Sequence, residues 1–151
     1  MKRFDRYYNK DFSPEVVDFI LDSEKNNMSV EEFIIRLSSL NFEFDIDNFI
    51  LLLARTFSHY SGYTLNIFIN VINETDEFDF IKEDDNKTLL KDFIHYNIYS
   101  NILMTSNIFN LLKALDNKYG TKFQLFLSNE ILKLDNIKFS NYKRYMKWVI
   151  S

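Results

Sequence analysis

An all-α fold, a single compact domain of about seven to eight helices around a buried central helix near Phe49–Phe57, is what this sequence predicts, on three observations. Two glycines and one proline in 151 residues are too few for the tight turns an all-β chain needs. Apolar residues recur at i, i+3 and i+4 along most of the chain. Two stretches, Ser29-Val30-Glu31-Glu32 and Thr121-Lys122-Phe123-Gln124, have the Ser/Thr-x-x-Glu/Gln spacing of a capping box beside apolar runs. With 46% hydrophobic residues, 16 Phe and 9 Tyr, the chain has the apolar surface that one core requires and that a disordered acidic chain lacks.

Taken in order, Ser13-Pro14-Glu15 supplies an N-cap, a proline at the first helical position and an acidic first turn, followed by Val16, Val17, Phe19, Ile20 and Leu21 and ended by Asn26-Asn27. The Ser29 capping box opens the next helix, with Met28 and Phe33 placed as a hydrophobic staple. Asp45 or Asp47 starts the central helix, apolar nearly all round from Phe49 to Phe57, with Gly62 beyond its end. Leu65–Asn73 fits strand or helix by period; helix is preferred because Asn66, Asn70 and Asn73 then form one polar stripe. Leu89, Leu90, Phe93, Ile94 and Ile98 mark a further helix, and Ile108, Leu111, Leu112, Leu115 and Tyr119 another, closed by Gly120. The Thr121 box opens a helix with Phe123, Phe126, Leu127, Ile131 and Leu134 on one face, and Tyr142, Tyr145, Met146 and Val149 form the last.

Charge divides the chain. Residues 11–85 carry 17 acids against 4 bases, whereas residues 86–151 carry 10 bases against 4 acids, so the net charge of −4 hides an acidic half joined to a basic one. Residues 1–151 read as one domain, with residues 1–12 as a basic N-terminal arm and residues 75–87 as an acidic surface loop. The absence of cysteine excludes disulfides, thiolate catalysis and Cys-ligated zinc. No apolar stretch follows the basic N-terminus, and the longest clean apolar run, Phe49–Ala54, is far short of the roughly 20 residues of a membrane span, so a cytoplasmic protein is expected, without membrane partners.

Chemistry finds little purchase in this sequence. His59 and His95 are the two histidines, and neither comes with a recognisable nucleophile and orienting acid. His95 is read as a structural residue near Asp92 or Tyr99; Asp92 with His95 gives two metal ligands where zinc catalysis uses three. The acidic runs lack the glycine of a calcium loop, and Gly62 and Gly120 stand alone, so no phosphate-cradling loop is present. The expectation is therefore a non-enzyme without cofactor or metal. Lys138, Lys143, Arg144 and Lys147 alternate with Tyr142, Tyr145 and Trp148, as a single-stranded nucleic acid would require, but the overall negative charge argues against that partner.

The segment TDEFDFIKEDDNK, residues 75–87, is the most distinctive. Its carboxylates Asp76, Glu77, Asp79, Glu83, Asp84 and Asp85, joined by Glu43, Asp45 and Asp47, are the candidate partner-binding residues, with Phe78 and Phe80 either anchoring in a partner or pinning the loop to the core. Residues with AT-rich codons (Phe, Ile, Asn, Lys, Tyr) make up 71 of the 151. In small size, lack of cysteine, acidic face, AT-rich coding and lack of an enzymatic motif, the chain resembles the immunity proteins of bacterial polymorphic toxins, including those of contact-dependent growth inhibition. The likeness is one of overall character, and no family residue carries over. It implies a protein that binds one cognate toxin domain, often a basic nuclease, and occludes its active site or substrate surface. Two alternatives share parts of this character: the Bcl-2-like helical regulators of poxviruses, which hold a partner helix in a groove but whose Asn-Trp-Gly-Arg signature is missing here, and phage inhibitors such as anti-CRISPR proteins.

Overall fold

Every long helix of the N-terminal half starts where a backbone amide meets a side-chain oxygen. In the computed structural model, which describes residues 4–58, 65–100 and 106–133, Ser13 Oγ accepts from the Val16 amide at 3.3 Å and opens α2 (Pro14–Lys25). Ser29 Oγ accepts from the Glu32 amide at 3.2 Å and opens α3 (Val30–Ser39). Asp45 Oδ1 accepts from the Asn48 amide at 2.8 Å and opens α4 (Ile46–Ser58), so Asp45 rather than Asp47 is its cap. Asn27 lies in the left-handed region (φ 50°) just beyond α2, and Gly120 does the same (φ 67°) beyond α7 (Ser106–Tyr119), where glycine adopts it at no steric cost.

Two other helices take their caps from elsewhere in the fold. The first turn of α5 (Asn66–Glu74) is capped by Glu24 of α2, whose Oε1 accepts from the Ile67 amide at 2.6 Å across 43 residues. At α8 (Phe123–Leu132) the sequence expectation is corrected. Thr121 does not cap it; the Asp116 carboxylate of α7 accepts from the Phe123 amide at 2.9 Å and the Gln124 amide at 3.0 Å, and the Thr121 hydroxyl donates to the same carboxylate at 2.5 Å. An ionised acceptor bonds two amides where a hydroxyl reaches one, which is why it displaces the local cap.

Eight α-helices and one 3-10 turn make up the regular structure of the described residues, with no strand among them, and they form one compact domain. The Leu65–Asn73 ambiguity resolves as helix: Ile67, Phe68, Val71 and Ile72 of α5 are buried and its three asparagines exposed. Residues Phe49 through Arg55 of α4 are all buried, so this helix is the central element. Around it, α1 (Asp5–Tyr8) and α6 (Asp84–Ser100) pack on α4; α5 packs on α7, α2 and α3; and α8 closes against α6 and α7. Among the described residues no helix is long and apolar enough to cross a membrane.

The basic N-terminal arm and the acidic segment each contain helical turns. The N-terminal arm contains α1, with Phe4 and Tyr7 buried and Phe4 edge-on to Phe93 at 5.3 Å; aromatic burial there outweighs the local charge. Residues 75–87 contain a 3-10 turn (Asp79–Lys82) and the first turn of α6, in which Asp84 and Asp85 sit at the favourable, positive end of the helix dipole. His59, Gly62, Leu134, the side chains of Phe57 and Ile98, and the closing basic and aromatic segment from 138 to 149 lie outside the described residues.

Candidate functional site

Phenylalanines set the geometry of the acidic region. Phe44 meets Phe78 edge-on at 5.6 Å, Phe78 meets Phe49 edge-on at 5.4 Å, and Phe80 lies 5.6 Å from Phe78 and 6.3 Å from Phe49. Through Phe42 the row continues to Phe68, Phe33 and Phe19 in the middle of the domain. Because rings and carboxylates alternate in both Glu43-Phe44-Asp45 and Glu77-Phe78-Asp79-Phe80, interlocking the rings draws the two acidic stretches side by side. The result is a ridge of nine carboxylates running from Asp47 of α4, which meets Arg6 of α1, to Asp76 and Asp79, which meet Lys118 and Tyr119 of α7.

The two candidate rings therefore belong to the fold. Phe78 is 2% exposed and Phe80 half-buried, which makes Phe78 a core residue and removes it from the surface a partner can reach. Hydrophobic burial of a phenylalanine among other rings outweighs the polarity of its sequence neighbours, so of the two roles the sequence left open for Phe78 the structure takes the one that pins the segment to the core.

Four cations serve the nine carboxylates. Arg6 lies 3.3 Å from Asp47, Lys82 3.4 Å from Asp79, Lys87 3.9 Å from Asp84, and Lys118 3.4 Å from Asp76. Asp47 also accepts from the Tyr7 hydroxyl at 2.7 Å, Asp79 from the Tyr119 hydroxyl at 2.9 Å, and Glu83 from the Asn86 amide at 3.2 Å. Glu43, Glu77 and Asp85 are exposed and have no ion pair among the described residues. The ridge thus keeps an excess of negative charge, most of it in water. The Tyr119 hydrogen bond first, and then Lys82 and Lys118, hold the Asp79 carboxyl below the usual aspartate value, while burial and Asp79 push the Tyr119 phenol up. Lys118 further fixes the α5 end of the ridge by donating to the carbonyls of Ile72 (2.8 Å) and Thr75, which lack helical partners at that C-terminus.

A second polar cluster escaped the sequence. His95 Nδ1 lies 2.7 Å from Oε2 of Glu130, whose other oxygen accepts from Lys133 Nζ at 3.2 Å; the glutamate is buried and the histidine half exposed. The sequence reading of His95 looked to its own helix, whereas the partner here lies 35 residues away on α8, a separation that no local spacing signals. Burial pushes Glu130 up, but the bonds and charges of His95 and Lys133 outweigh it and leave the carboxyl below its ordinary value. Chemically the cluster is a carboxylate orienting an imidazole, and structurally it joins α6 to α8. Among the described residues no group of three His, Cys, Asp or Glu side chains converges to hold a metal ion. Compared with family models, curated proteins and solved structures, the chain matches none.

Proposed function

We propose that this chain is an immunity-type inhibitor that binds a basic protein, a toxin nuclease domain, in the cytoplasm and neutralises it by occlusion, with no catalysis of its own. The observation that carries the reading is the ridge: nine carboxylates served by four cations, of which Glu43, Asp45, Glu77 and Asp79 directly flank the interlocked rings of Phe44, Phe78 and Phe80. A nuclease surface built for phosphates accepts such an array for the same electrostatic reason, and the field of the ridge accelerates encounter.

The test starts with the partner, captured from the source organism on the immobilised full chain. A variant with Asp76→Lys, Glu77→Lys, Asp84→Lys and Asp85→Lys should then associate more slowly at low salt, and the difference should shrink as ionic strength rises, since exposed charges are screened beyond about 8–10 Å near physiological salt. Asp79 is left intact because it holds Tyr119. Association of the reversed variant at the wild-type rate in low salt would refute the ridge as the binding face. Hydrolase and transferase assays on the purified chain and on His95→Ala should show no activity in either; an activity that a folded His95→Ala variant loses would make the protein an enzyme.

A further inference from the structure

With Phe78 and Phe80 committed to the fold, the apolar contact of a tight interface has to come from elsewhere, and α3 offers one. Ile35 is 63% exposed, the most exposed of the large hydrophobic side chains among the described residues. A lone exposed isoleucine is ordinary. This one edges a cleft of about 300 Å³ between α3 and the end of α5, with Val30 and Ile34 beside it and Glu31, Glu74 and Thr75 completing the lining. A second depression of about 320 Å³ on its other side is lined by Ser29, Glu31 and Glu32. The one cation nearby on this helix, Arg36, is taken up by Glu32 at 3.3 Å and by the ring of Phe19 at 5.1 Å. Glu74 adds its charge to the negative end of the α5 dipole, and Thr75 leads directly into Asp76 and Glu77 of the ridge.

We propose that the Ile35 cleft takes an apolar side chain from a cationic segment of a protein partner, with lysines or arginines flanking that side chain against Glu31 and Glu74. The argument is charge complementarity around an apolar centre: walls that are acidic on both sides favour a basic segment over a neutral or acidic one, and Ile34 and Ile35 give its central side chain something to cover. This rests on the reading of the chain as a binder of basic proteins, and it moves the anchoring contact from the ridge to α3.

The experiment titrates the isotope-labelled full chain with a synthetic amphipathic Lys/Leu peptide at low salt, followed by amide chemical shifts, with a Lys/Ser peptide of equal charge and length beside it. Shifts centred on residues 30–36 and 74–77 are expected for the Lys/Leu peptide. Ile35→Ser should weaken that peptide about tenfold while leaving the Lys/Ser peptide unchanged, and Ile35→Leu should restore binding. Glu31→Lys with Glu74→Lys should weaken both. Equal binding of the Lys/Leu peptide to wild type and Ile35→Ser, or shifts confined to residues 43–47 and 79–85, overturns the cleft while leaving the ridge reading in place. A wild-type dimer in sedimentation that Ile35→Ser dissociates overturns it too, by assigning the cleft to a second copy. With the captured partner, a cleft failure shows as an unchanged dissociation rate in Ile35→Ser, and a ridge failure as an unchanged association rate in the charge-reversed variant.

Discussion

The ridge and the seam that α8 makes with α6 and α7 use the same chemical group in opposite ways. At the seam, Asp116 spends its carboxylate on two amides and a hydroxyl, and the buried Glu130 holds an imidazole and an ammonium. On the ridge, Glu43, Glu77 and Asp85 hold nothing among the described residues, and Asp84, fully exposed, touches a single lysine at 3.9 Å. A carboxylate that satisfies internal donors contributes to stability and is unavailable to a partner; one left in water contributes almost nothing to stability and keeps its field for whatever approaches. Within the acidic half both kinds occur, since Glu24, Asp45 and Asp79 serve internal donors while Glu43, Glu77 and Asp85 stay in water.

Mutations can sharpen or break this contrast. The largest effect is expected beneath the ridge: Phe78→Ala should cost about 3–5 kcal/mol in urea or guanidinium unfolding, because it empties the middle of the ring cluster. A loss below about 1 kcal/mol would mean the ring is not enclosed and would return it to the list of surface anchors. At the seam, Asp116→Ala should cost about 1–2 kcal/mol and speed hydrogen exchange at the Phe123 and Gln124 amides, as loss of a helix cap does. The pH response should separate the regions next. Glu130 has its carboxyl below the ordinary value, so the stability it adds is fully present above the unfolded glutamate pKa and is lost as pH falls through the folded one. Urea midpoints measured across that acid range should decline less steeply in Glu130→Gln than in wild type. The smallest effect belongs to the ridge crest: Glu77→Gln with Asp85→Asn should leave the unfolding free energy within about 0.5 kcal/mol of wild type. A substantial loss there would show that the crest is part of the fold after all.

How much of this was legible depends on whether the responsible group lies nearby in the chain. Ser13, Ser29, Gly120 and the i, i+3, i+4 spacing act within a few residues, so helix starts, ends and buried faces could be read directly, as could the central position of α4. Glu24 capping α5 from 43 residues away and Glu130 holding His95 from 35 are products of packing, and nothing in their neighbourhoods announces them. Asp116 was nearer at hand, a carboxylate one turn before a helix-ending glycine, but a plausible local cap at Thr121 obscured it. The acidic candidates were legible as charges. For their rings the sequence left two roles open, partner anchor or core plug, because an aromatic in an acidic run reads the same whether it points out or in. Ile35 was hidden for the converse reason: in Phe33-Ile34-Ile35 all three look buried, and only the packing of α3 against α5 decides which one is left outside.

Arg55 gives the N-terminal helix a part in the order of assembly. Its guanidinium is buried in α4, with Nη2 donating to the Tyr7 carbonyl at 2.8 Å and Nε without a partner among the described residues. A helix of four residues does not persist alone in water, so α1 has to wait until Arg55, 48 residues later in synthesis, has emerged and α4 has formed beneath it. The segment made early is seated late. Until it is seated, the Arg55 guanidinium lacks the Tyr7 carbonyl that it meets in the folded chain.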